Sequence, residues 1–370
     1  MPTSYISALN YHKIFANEIF KNQQNKECIV IYGKISHLFG KKVVMFEESL
    51  PCIFRIEVPL PNNPLKSLNS YLVKGNSRHL LIDTGFNRPE CWQALMDALK
   101  HLGVHTDQLD VFVTHLHADH CGLASQMATS DKATIWTSAG DAVFINQSVT
   151  EAYWDKWFNN MLAHGCEKEM LAKLKSSHPA IIYAPERAIQ FAFTKDGDVL
   201  HYGNYELHVL GTPGHSPDHL ALYIPSEKVL FSGDMILGDI TPNISRWEGV
   251  KDSLGAYLES LDKLATMDIV CTLPGHRRVV NDTAGRINAL KEHHQIRLDA
   301  VLEILKAGPM IATEVASKMQ WSMRGMTWDE FPPPQKWFAT NEALSHLDHL
   351  VALQCITQEE HNGKVHFSLL

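Results

Sequence analysis

In the stretch VFVTHLHADHCG (residues 111–122), His115, His117, Asp119 and His120 fall within six positions directly behind an apolar run. His115 and His117 are two apart, so in an extended segment both imidazoles project to one side and can grip a single metal ion. Asp119 and His120 come after the strand should have ended, where a turn into a helix swings them toward a second ion. Three more suitable side chains follow, each at the end of an apolar run: His215 in GTPGHSPDH, Asp234 in FSGD and His276 in LPGH. Together these seven groups fill two sites. Imidazole and carboxylate without clustered thiolate suit two Zn²⁺ ions, with iron or manganese as alternatives. Two divalent cations outweigh the two carboxylates and a bridging hydroxide. The net positive centre can polarise a carbonyl or phosphoryl oxygen and supply hydroxide near neutral pH.

With 21 histidines some clustering is expected. His219, His293, His294, His346 and His349, taken singly, read as ordinary core or surface residues. The ordered set HxHxDH, Gly-His, Gly-Asp, Gly-His is a different matter, because every member stands behind a strand-like run.

The elements that must position these groups are legible between about 53 and 283. HLLIDTG, VFVTHLH, ELHVLGTPGH, KVLFSGD and DIVCTLPGH are short β-branched or leucine-rich runs closed by Asp, His or Gly, the pattern of buried strands with chemistry at their ends. Helices are predicted between them. Trp92, Leu95, Met96, Leu99 and Leu102 follow helical spacing after Pro89 and before Gly103, and Leu254, Tyr257, Leu258, Leu261 and Leu264 do the same. Residues 140–190 interrupt the rhythm with an aromatic, helical insertion that could serve as a lid, or be anchored to the core by Tyr153, Trp154, Trp157 and Phe158.

Beyond 285, three predicted helices precede CITQEEHNGKVHFSL, which has the alternation and Asn-Gly turn of a hairpin. This order suggests a winged-helix-like module over 286–370. The module holds 8 Lys/Arg against 10 Asp/Glu, and its third helix offers Glu342 and Asp348 with no basic residue to meet phosphate. DNA binding is therefore disfavoured, and a structural or homodimerising role preferred. The domain reading is thus an N-terminal extension packed on the sandwich (1–52), a catalytic domain (53–285) and the C-terminal module. ECIVIYGKI and KKVVMFEES in the first part suit an added hairpin or an edge cover.

At 370 residues and 45% hydrophobic content the chain can bury a substantial core, and a net charge of −8 gives no general pull toward nucleic acid or anionic membrane. The 7 cysteines are scattered without a CxxC pair, which fits reduced thiols and a cytoplasmic location. No signal-like or membrane-spanning run is expected.

The motif set resembles the metallo-β-lactamase-fold hydrolases over about 53–283. That resemblance implies an α+β fold, an αββα sandwich with a dinuclear site at one edge. It assigns His115, His117 and His215 to one metal, Asp119, His120 and His276 to the other, and Asp234 to the bridge between them. It makes Asp83 in LLIDTG the aspartate that orients the metal-binding loop. The cysteine ligand of one β-lactamase class is absent where Asp234 stands, which points away from antibiotic cleavage. The C-terminal region resembles, more loosely, the winged-helix extension of the lactamase-like ribonuclease branch.

The expected reaction is hydrolysis by a metal-bridging hydroxide, with Asp119 a ligand that would also orient the hydroxide or move a proton. The aromatic insertion suits a small-molecule acyl substrate, an ester, thioester or lactone, with Tyr153 and Trp157 as wall residues and Asn243 or Arg246 as polar contacts. A ribonuclease or phosphodiesterase is the alternative, with RNA as partner.

Overall fold

In the computed structural model the described residues are 46–127, 132–322 and 325–370. The expected N-terminal extension lies outside them except for 46–52. Residues Phe46–Leu50 form the first strand, β1, which pairs antiparallel with β2 (Ile53–Pro59).

Two sheets face one another. The first has seven strands in chain order: β1, β2, β3 (Ser67–Val73), β4 (His79–Ile82), β5 (Leu109–Phe112), β6 (Ile135–Thr137) and β7 (Ala192–Phe193). The second runs β12 (Cys271–Pro274), β11 (Val229–Gly233), β10 (Leu220–Ile224), β9 (Tyr205–Gly211), β8 (Val199–Tyr202). Strands β4 to β7 are parallel to one another, as are β11 and β12, and the remaining neighbours are antiparallel.

Alternation along the strands sorts side chains into layers. Leu220, Leu222, Ile224, Val229 and Phe231 meet Tyr71, Val73, Leu80, Ile82 and Phe112 between the sheets. The opposite face of the first sheet, with Leu68, Leu72, Leu81 and Val111, packs on Cys91, Leu95, Ala98 and Leu99 of α1 (Pro89–His101). Ala221, Tyr223 and Leu230 on the outer face of the second sheet pack on α8 (Ser253–Ala265) and the C-terminal helices. The strands are apolar on both sides because both sides are covered, which is why they read as continuous apolar runs.

Between β5 and β6 lie two single turns, α2 (Ala118–Cys121) and α3 (Ala124–Met127). The expected insertion is helical: α4 (Ala139–Ser148), α5 (Glu151–Ala163), α6 (Lys168–Lys175) and α7 (Pro179–Ile182). Trp154 and Phe158 are buried, and the Trp157 ring lies tilted against Trp337 at 4.2 Å between centroids, so the aromatics anchor the insertion.

The C-terminal part comprises α9 (Thr283–Leu305), β13 (Met310–Ile311), α10 (Ala312–Lys318), α11 (Pro333–Ala352) and the hairpin β14 (Ile356–His361) and β15 (Lys364–Leu369), with β13 pairing on β15. Its side chains join those of α5, α6, α8 and the second sheet in one apolar cluster. Helix α9 runs through the expected 285/286 boundary, and side chains from both sides of it share one core. No helix among the described residues is long and apolar enough to cross a membrane.

Two histidines in this shared core predict acid sensitivity. His294 Nδ1 and His346 Nε2 are 3.2 Å apart, and His346 Nδ1 donates to the Glu342 carbonyl at 2.7 Å. Burial first, then neighbouring positive charge, pushes His294 down to about 2 and His346 down to about 3. A depressed folded-state value means that the stability is fully present above pH ~6.5 and lost as pH falls from there toward 3. At pH 5 the loss is about 2 kcal/mol per imidazole. Thermal melts of chelated protein between pH 7 and 5 should show this, and His294→Phe should flatten the profile. A variant curve parallel to wild type would refute the assignment.

Candidate active site

All the sequence-predicted ligands come from one edge of the sandwich. Asp83 follows β4, His115 to His120 follow β5, His215 follows β9, Asp234 follows β11 and His276 follows β12. Backbone hydrogen bonds close the sheets together at that edge, from Leu220 N to Thr114 O (2.9 Å) and from Asn69 N to Gly275 O (2.7 Å). Glycine permits the approach. A Cβ on Gly275 would lie 2.6 Å from Asp234 Oδ1 and 2.8 Å from His120 Cε1, so the Gly of LPGH is required by the neighbouring ligands and not by a turn alone.

Three overlapping groups result: His115, His117 and His215; His115, His120 and Asp234; Asp119, His120 and His276. Within each, the ligand atoms lie within 4.8 Å of one another. Asp234 spans them. Its Oδ1 is 3.5 Å from His120 Nε2, while its Oδ2 is 3.8 Å from His215 Nε2 and 3.6 Å from His276 Nε2. His276 Nε2 also lies 3.2 Å from Asp119 Oδ2.

Do these residues fit metal ions? His120 Nε2, His215 Nε2, His276 Nε2 and Asp234 Oδ1 are buried and have no hydrogen-bond partner. Such atoms are costly unless something satisfies them. Their spacings are those of ligands sharing a cation, which stand roughly 3.4 Å apart when each is ~2.1 Å from a tetrahedral ion. The other ring nitrogens are committed. His215 Nδ1 donates to Asn243 O and His276 Nδ1 to Ser67 O, both at 2.8 Å, and His120 Nδ1 donates to Asp83 Oδ2 at 2.7 Å. A carbonyl only accepts, so the Nε2 lone pairs of His215 and His276 point inward. The donor set fits divalent cations.

Asp83 stands at φ +60°, and Ser70 Oγ donates to its carbonyl. Its carboxylate accepts from Thr114 N (2.8 Å), Thr114 Oγ1 and His120 Nδ1. It thereby ties the end of β4 to the ligand loop.

Charge sorts the imidazoles into two kinds. Burial and neighbouring histidines hold His115 well below its ordinary value, and burial with His215 brings His117 down to about 3. Burial also opposes charge at His120 and His276, but nearby carboxylates outweigh it and raise both. The same attraction, working against burial, lowers Asp234 and Asp119.

The site opens into a cavity of about 360 Å³ lined by His117, Asp119, His215 and Asp234 together with Tyr153, Trp157 and Asn243. Tyr153 and Trp157 lie in its wall. Asn243 lines the cavity, but its side-chain amide donates to Glu342 Oε2 (2.7 Å) and its backbone carbonyl holds His215, so its polar groups are engaged by the protein. Arg246 is turned from the cavity toward Asp348 and His164.

Sequence reasoning missed two residues. Asp141, buried on α4, accepts from Leu116 N, Ser216 Oγ and Asp218 N and so joins the loops bearing His117 and His215. Its only local signal is Ser138 accepting from Asp141 N, which reads as a helix cap. Trp247 donates to His215 O at 3.2 Å and sits 5.9 Å from the His117 ring. Nothing in its sequence neighbourhood marks it.

The sequence profile of the Metallo-beta-lactamase superfamily matches residues 64–276, which take in every one of these ligands. The chain belongs to the metallo-beta-lactamase superfamily. It is similar to a probable metallo-hydrolase of Bacillus subtilis, 25% identical over 86% of this chain and 98% of that one. A solved metallo-beta-lactamase family protein from Thermus thermophilus superimposes with TM-score 0.74 at 28% identity, covering 87% of this chain and 100% of the other. An atrochrysone carboxyl ACP thioesterase of Emericella nidulans is 24% identical over 65% of this chain and 60% of its own length. Members of this superfamily are typically metal-dependent hydrolases, and the αββα layering here is the superfamily's fold.

Proposed function

We propose that the protein is a dinuclear metal-dependent hydrolase of an ester, thioester or lactone. His115, His117 and His215 would hold one cation, Asp119, His120 and His276 the other, with Asp234 between them. Zinc suits these ligands, and such a pair supplies hydroxide near neutral pH and polarises the acyl carbonyl. Asp119 faces the cavity and can also orient the nucleophile or move a proton to the leaving group.

The observation carrying the acyl reading is the cavity wall. Phe86, Phe144, Tyr153, Trp157, Trp247 and Phe338 contribute to it, and no Lys or Arg is among its described lining residues. A phosphodiester would bring an anion to walls with no cationic side chain, whereas an acyl chain is matched by aromatic carbon. The thioesterase named among the relatives agrees with this preference.

We read the C-terminal part as winged-helix-like and give it no duplex-binding role. The α11 residues Asn341, Glu342, Ser345, His346 and Asp348, which a groove-reading helix would present outward, are buried. Homodimer formation is compatible with this reading.

Metal-loaded protein should hydrolyse a medium-chain acyl thioester, an aryl ester or a lactone with kcat/KM at least about tenfold above that for a bis-aryl phosphate. A chelator should abolish the activity. Preferential cleavage of the phosphodiester or of single-stranded RNA in the same panel would overturn the acyl reading.

A further inference from the structure

The loop after β11 reaches the metal ligands and the C-terminal helix at once. Asn243 O accepts the Nδ1–H of His215 at 2.8 Å. The Asn243 side chain is held from the other direction: its Nδ2 donates to Glu342 Oε2 at 2.7 Å, and its Oδ1 accepts from Ser245 Oγ at 2.7 Å. Glu342, on α11, is itself fixed by Arg297 of α9, whose Nε lies 3.0 Å from Glu342 Oε1, both side chains being nearly buried. Arg297 stacks 4.2 Å over the Trp321 ring. One residue further along the loop, Ser345 Oγ donates to Ile244 O at 2.6 Å.

This chain of bonds has a direction. A neutral imidazole that donates from Nδ1 presents its Nε2 lone pair, and its basicity and angle depend on where the accepting oxygen stands. The accepting oxygen belongs to a loop residue outside regular structure, so its place is set by what grips that residue. At Asn243 the grip comes from the C-terminal helix, 99 residues later in the chain.

We infer that Glu342 is a positioning residue for His215, acting through Asn243, so that helix α11 tunes the sandwich's affinity for metal. The inference rests on the assignment of His215 as a ligand. It gives the C-terminal part a role at the metal ligands in addition to the wall residues, such as Phe338, that it lends the cavity.

The test is chelator competition on the full chain with Zn²⁺, and the visible spectrum of the Co²⁺-substituted protein. Glu342→Met removes the acceptor at similar volume, and Asn243→Ala removes the donor while keeping the backbone carbonyl. Each should weaken one of two metal equivalents by about tenfold or more and alter the Co²⁺ spectrum. Glu342→Gln, which retains an oxygen for Asn243, should stay close to wild type, and the double variant should lose no more than either single one. Asn243→Ala leaves the Glu342–Arg297 pair in place, so it reads the same bond should Glu342→Met fail to fold. Variants that bind both equivalents as tightly as wild type would overturn this inference alone. Wild-type protein that takes up no metal would overturn it together with the ligand assignment.

Discussion

Asp234→Asn should lower hydrolysis about 1000-fold, equivalent to ~4 kcal/mol of barrier, and reduce bound metal from two equivalents to one. The reason lies in the two oxygens. Oδ1 addresses His120, and Oδ2 addresses His215 and His276. An asparagine can present oxygen on one side only, so whichever way the amide turns, an NH₂ group points its hydrogens at a cation position. The substitution also removes negative charge from a buried centre in which Asp119 and Asp83 are the other carboxylates beside these imidazoles. Metal content after gel filtration and steady-state rates would check it. Two retained equivalents with a rate within tenfold of wild type would show that Asp234 does not stand between two ions.

Asp83→Ala is expected to destabilise the protein by about 3–5 kcal/mol and to cost it metal as well. Three donors lose their acceptor together, namely Thr114 N, Thr114 Oγ1 and His120 Nδ1, all in a setting where Asp83 is 2% exposed. The backbone adds to the loss, because φ +60° is tolerated better by aspartate than by alanine. Asp83→Asn separates the two effects. It keeps an oxygen for Thr114 but offers nothing negative to His120, so it should unfold less readily than the alanine variant while binding metal roughly 10–100-fold more weakly than wild type. Denaturant melts and chelator competition give both quantities. A stability loss in Asp83→Ala below ~1 kcal/mol would contradict the bonding described here.

How much of this was visible in the chain alone depended on whether a residue's role was local. Strand ends carrying His or Asp were legible because burial on both faces makes each strand an unbroken apolar run, and the glycines beside the ligands mark close approach. The C-terminal helices were legible as the segments preceding the Asn-Gly hairpin, and the structure buries Leu298, Val301, Leu344 and Leu347 along them. What helical spacing could not convey was that α11 is buried on its polar side too. Thr340, Asn341, Glu342, Ser345 and His346 look like a solvated face until the loop carrying Asn243 and Ile244 is laid against them. Asp141 and Trp247 were hidden because their partners lie far away in sequence, and that the Asn243 amide is bonded to Glu342 was hidden for the same reason.

The apolar cluster that runs from Ala221, Tyr223 and Leu230 through α8 and α9 to Trp337 and Phe367 bears on how the chain can be divided. The profile-matched segment ends at 276, ahead of every one of the last helices. A gene cut there would encode all seven candidate ligands and still leave one flank of the sandwich bare, an oily surface that invites self-association. The family segment therefore shares its core with the helices that follow it, and its second sheet is fully covered only in their presence.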